Sequence, residues 1–133
     1  MKVVSFLTLC TTVAALASLT FSTLRAAEDH DHEVIEAAMK KYHKAPKGTD
    51  PAAKKAAKGE ASKEEIADLL KAYESMAEVK PPRGEKDAWD KRMEELVAAT
   101  KDLAAGKDGS VDAFKKAGDC KACHTDHKPK KEG

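Results

Sequence analysis

An all-α fold, an antiparallel four-helix bundle, is what three features of this 133-residue chain predict. Apolar residues recur three and four positions apart, the period of a helix with one buried face. No segment shows the strict alternation of a half-buried strand. Capping residues and short Pro/Gly clusters punctuate the helical stretches, and helices joined by short connections pack antiparallel with their neighbours.

The start of the chain is not part of the bundle. Met1 and Lys2 give a positive beginning, Val3 to Phe21 carry no charge, and Thr23-Leu24-Arg25-Ala26-Ala27 ends in small residues that a signal peptidase accepts. Residues 1–26 therefore read as a cleaved export signal, with cleavage after Ala26 or Ala27, and residues 27–133 as one periplasmic domain. A retained anchor is the weaker reading, because the apolar run is barely long enough to span a bilayer and a charged stretch follows at once. Cys10 leaves with the signal, and no membrane contact is expected afterwards.

The first bundle helix, Asp31 to about Lys44, carries Ile35, Ala38, Met39 and Tyr42 on one stripe and closes at Pro46 and Gly48. Asp50-Pro51 is a capping Asp followed by Pro at a first helical position, so Pro51 to Lys58 makes a short helix ending at Gly59. It has no large apolar residue and is expected on the surface. Ser62-Lys63-Glu64-Glu65 is a capping box, and the second bundle helix behind it carries Ile66, Leu69, Leu70, Tyr73 and Met76. Pro81-Pro82-Arg83-Gly84 breaks it. The third, Lys86 to Ala105, shows Trp89, Met93, Leu96, Val97, Thr100 and Leu103 and stops at Gly106 and Gly109. Ser110 caps a fourth that runs through Val111, Phe114, Ala117, Cys120, Cys123 and His124 until Pro129.

Composition sets a constraint on this bundle. After residue 26 there are 17 large apolar side chains, against 20 alanines and 45 charged residues. Leu, Ile, Val and Phe make up about 10 %, below the ~20 % under which highly charged chains tend to stay disordered. Something else has to supply apolar surface. The lysines are interspersed with acids at helical spacings, which reads as a solvated surface and excludes a nucleic-acid partner. Only Lys128 to Lys131 form a local basic cluster, at a frayed end.

Cys120-Lys121-Ala122-Cys123-His124 is the one strong chemical signal, the Cys-x-x-Cys-His pattern of covalent haem c attachment. Residues three apart lie one helical turn apart on the same face. Both sulfurs can then bond the vinyl groups of one porphyrin edge, and His124 can bring its imidazole under the iron as proximal ligand. Apart from a chance pattern that holds no ligand, two rivals stand beside this. One is a Cys120–Cys123 disulfide, which lacks the βαβ context of a redox motif. The other is a zinc site from Cys120, Cys123, His124 and His127, which a turn or two of helix wraps poorly. A porphyrin would also answer the thin core, since several hundred Å² of buried apolar ring at ~25 cal/mol/Å² is on the order of 10 kcal/mol.

A haem motif near the C-terminus, on the last helix of a four-helix bundle behind a signal peptide, resembles the cytochrome c' family, and most closely its low-spin members. The resemblance spans the whole mature chain in helix order, but only the haem motif is specific. It implies one covalent haem c held by Cys120 and Cys123, His124 as proximal ligand, and a methionine on the first helix as sixth ligand, the place that Met39 occupies. It also implies a homodimer. Met76 and Met93, with Trp89, Tyr73 and Phe114, are expected to pack around the haem, while His30, His32 and His43 read as solvated or capping residues. With Met39 on iron, the chain is a periplasmic electron carrier serving a redox partner that no residue identifies. If Met39 only packs, the iron is five-coordinate and the chain binds gases such as nitric oxide or carbon monoxide. No acid–base constellation marks an enzyme.

Overall fold

A computed structural model describes the backbone of residues 13–130 and the side chains of residues 26–130. Among these residues there are six helices and no strand, an architecture compatible with a helical bundle: α1 (Val13–Tyr42), α2 (Ala52–Lys58), α3 (Lys63–Ala77), α4 (Lys86–Ala104), α5 (Ser110–Ala117) and α6 (Cys120–His127). Residues 1–12 of the expected signal lie outside the described residues, and α1 runs unbroken through the expected cleavage point. No described helix is long and apolar enough to cross a membrane.

The long helices follow their apolar stripes. α3 starts at the expected capping box: the Ser62 hydroxyl accepts from the Glu65 N–H at 3.1 Å, and the Glu65 carboxylate accepts from the Ser62 N–H at 2.9 Å. It buries Leu69, Tyr73 and Met76 against α4, whose inward face is Trp89, Met93, Leu96, Ala99, Thr100 and Leu103. Thr100 sits in this core without penalty because its hydroxyl donates back to the Leu96 carbonyl at 2.7 Å. The Trp89 indole N–H donates to the Met76 carbonyl at 3.1 Å and so pins α4 to the end of α3. α1 packs on α3 through Ile35, Ala38, Met39 and Tyr42.

Three expectations are corrected. The short helix α2 is not a surface element: Ala53 and Ala56 are buried, and it packs on α5 and α3. Alanines let a helix backbone come close, so a segment without large side chains still enters the core. At its start Pro51 stands in the cap position without a side-chain cap, and Asp50, the expected capping residue, instead takes the ammonium groups of Lys54 (2.7 Å) and Lys58. Secondly, Ser110 is not a cap but the first, buried residue of α5, preceded by Gly109 at φ +73°. Thirdly, the last helix is two. α5 ends at Gly118, and α6 begins afresh behind Asp119, whose carboxylate accepts from the N–H groups of Lys121 (2.9 Å) and Ala122 (3.3 Å).

Candidate functional site

The break at Gly118–Asp119 sets the haem motif on its own short helix. Cys120 opens α6 and is exposed, Cys123 is half-buried one turn on, His124 is exposed and His127 is buried. All four face a single open cavity of about 340 Å³, with mainly apolar walls, that lies between α6, the second half of α1, the end of α3 and the first half of α4. Ile35 and Met39 of α1, Met76 of α3, and Trp89, Met93 and Leu96 of α4 line it. Met39 thus shares one cavity with the Cys120–His124 motif, although the two lie at opposite ends of the described chain.

Other expected residues take their places around this group. Met93 and Trp89 are on the wall, as is Met76. Tyr73 and Phe114 do not line the cavity; they are buried in the core with their rings tilted against each other, centroids 6.4 Å apart. His32 stands at the exposed rim, and His30 is exposed away from it. His43 departs from its expected solvated role. It lines the cavity, with Nε2 3.0 Å from the Tyr73 hydroxyl. Its place four residues after Met39 on the same stripe was the available signal.

The electrostatics are those of an apolar-walled pocket with a basic edge. Burial pushes the Cys123 thiol above its ordinary range; the nearby Arg92 guanidinium opposes this, and Cys120 and Asp126 add to it. Burial, helped by the charge of His124, pushes the His43 imidazole down. Lys44, Arg92 and Lys128 reach the rim from three elements, against Glu36 and the capping Asp119.

At its far end α6 is gripped by the α3–α4 loop. Arg83 Nε donates to the Asp126 carbonyl at 3.1 Å and its guanidinium also donates to the Thr125 carbonyl. His127 Nδ1 lies 3.0 Å from the Arg83 carbonyl. Neither contact was visible in the sequence, where Arg83 read only as part of a helix-breaking cluster and His127 only as a rival zinc ligand. No three His, Cys, Asp or Glu side chains among the described residues come together as a metal-binding group, so Cys120, Cys123, His124 and His127 do not form the tetrahedron that zinc requires.

Comparison of the chain with protein-family models, with curated proteins and with solved structures finds no match. The functional reading therefore rests on the cavity and its donors.

Proposed function

We propose that this chain is an exported, periplasmic one-electron carrier of the cytochrome c' type. In this reading its helices form an antiparallel four-helix bundle around one covalent haem c, with thioethers from Cys120 and Cys123, His124 as proximal ligand and Met39 as distal ligand. One observation supports it above others: two thiols at Cys-x-x-Cys-His spacing, an imidazole and a thioether line the same apolar cavity, contributed by the first and last described helices.

Haem would supply a one-electron iron couple and a large apolar ring. The residues suit such a group. Trp89, Met76, Met93, Leu96 and Ile35 provide water-excluding walls, and flexible methionines adapt to a flat guest. Cys120 and Cys123 are both free thiols, and neither is sealed in the core. The Met39 side chain is half-buried on α1, which packs on α3, and His124 is on α6, so the two residues line the cavity from different helices.

The test is the absorption spectrum of protein matured with a haem-attachment system, in both oxidation states. A Soret band that survives acid-acetone extraction, with a low-spin spectrum and slow carbon monoxide binding, is expected. A chain without a Soret band, or with extractable haem, overturns the reading. A covalent but high-spin haem that binds carbon monoxide readily replaces the carrier with a gas-binding module.

A further inference from the structure

We infer that His127 is a positioning residue: it locks the far end of α6 onto the α3–α4 loop and thereby fixes the direction in which His124 leaves the helix. The inference rests on the haem reading above for its functional meaning, though the lock itself is a matter of geometry.

α6 has eight residues, too few to hold a helix by local bonds alone, and it is not among the closely packed helix pairs. Its orientation must be set at its two ends. The first end is the Asp119 cap. The second is a reciprocal exchange with the loop at Arg83: the Arg83 side chain donates to the Thr125 and Asp126 carbonyls, while the Arg83 carbonyl accepts from His127. A carbonyl only accepts, so Nδ1 of His127 carries the proton.

Three further facts mark this as built rather than incidental. His127 is 3 % exposed, an unusual depth for a polar residue at the end of a short helix and next to a lysine. Its ring stands edge-on to Trp89, centroids 5.2 Å apart, and Trp89 is itself fixed by its bond to Met76. The loop comes so close that a Cβ on Gly84 would lie 2.9 Å from both the Asp126 carbonyl oxygen and His127 Nδ1, and Gly84 adopts φ +85°, where other residues are strained. His124 stands one turn before His127 on the same helix face. A tilt of α6 about Gly118–Asp119 would carry His124 and both cysteines with it.

The experiment compares two substitutions in the holoprotein. His127→Phe keeps a ring against Trp89 and removes the donor. His127→Asn removes the ring and keeps a donor where Nδ1 stood. The carbon monoxide binding rate of the reduced protein and hydrogen exchange of the α6 amides are the readouts. Loss of the bond in His127→Phe should raise both by about three- to tenfold, the worth of one such hydrogen bond, and His127→Asn should stay near the parent chain. If His127→Phe yields no holoprotein, Arg83→Met, which removes the two side-chain donors, is read in the same way. A His127→Phe protein indistinguishable from the parent overturns the proposal. So do equal changes in both His127 variants, since they would reduce His127 to ring packing. A parent chain that takes up no haem refutes the haem reading, and α6 amide exchange alone then decides for or against the lock.

Discussion

Nε2 of His43 lies 3.0 Å from the hydroxyl of Tyr73, a bond that ties the end of α1 to the middle of α3 beside the cavity. Its direction follows from the two environments. Burial keeps the His43 ring neutral, and burial pushes the Tyr73 phenol far above its ordinary value, so the phenol keeps its proton. The hydroxyl donates and Nε2 accepts. Tyr73→Phe removes the donor and leaves a part-buried acceptor without it, which should cost about 1 kcal/mol. Removing both partners in Tyr73→Phe/His43→Leu should cost less than the sum of the single changes. Urea unfolding of the four proteins checks this, and strictly additive losses would show that the contact carries no energy of its own.

The close approach of α2 gives a second expectation. Ala56 has no exposed surface, with α3 and α5 the helices that α2 packs against. Ala56→Leu should therefore overpack the interface and cost about 1–3 kcal/mol. Ala67→Leu, on the exposed face of α3, should stay within about 0.5 kcal/mol of the parent. Equal thermal midpoints for the two variants would return α2 to the surface.

What was legible in the chain, and what was not, divides by distance along it. The stripes Ile35–Met39–Tyr42, Leu69–Tyr73–Met76 and Trp89–Met93–Leu96 are local periodicities, and the helices obey them. The Ser62–Glu65 box is a four-residue device and forms as read. The break before Cys120 was also local, since Gly118-Asp119 is a stop followed by a cap. It was hidden because Phe114, Ala117, Cys120 and Cys123 keep a three-residue spacing straight through it. The depth of α2 was missed because burial there depends on the smallness of Ala53 and Ala56, and apolar patterning registers only large side chains. The grip of Arg83 on α6 joins residues more than forty positions apart, and nothing near either end announces the other. For the candidate site, the motif was local. That Met39 and His43 share its cavity depends on how the helices pack, which periodicity does not specify.

A pH expectation follows from Asp50. Hydrogen bonds from Lys54 and Lys58 hold its carboxyl at about 2, against an ordinary 3.8. In that window the unfolded chain takes up a proton that the folded chain does not, so this contribution to stability is complete above about pH 4 and is lost as the pH falls towards 2. The advantage of the parent over Asp50→Asn should therefore be constant at neutral pH and vanish towards pH 2. Because both lysine partners are exposed at the surface, the advantage is small and should shrink in high salt. Urea midpoints of both proteins across this range test it; a difference that persists unchanged to pH 2 would mean that Asp50 acts by something other than its charge.

Met39 carries the division between an electron carrier and a gas-binding module, and a single alanine variant would confound ligation with packing. Met39→Leu separates them, since leucine keeps most of the apolar volume on the α1 wall and removes the sulfur. If the thioether binds iron, Met39→Leu and Met39→Ala should both convert a low-spin ferric spectrum to a high-spin one, speed carbon monoxide binding and lower the reduction potential, because a thioether ligand raises it. Both lose the iron–sulfur bond, and Met39→Ala should be less stable than Met39→Leu by a further packing loss of about 2–3 kcal/mol or less for a half-buried methionine. Met76→Leu and Met93→Leu, on the α3 and α4 walls of the same cavity, should leave the spin state unchanged and cost under about 1.5 kcal/mol. An unaltered spin state in Met39→Leu would remove Met39 from the ligand set. A spin change in Met76→Leu or Met93→Leu instead would move the sixth ligand to that wall.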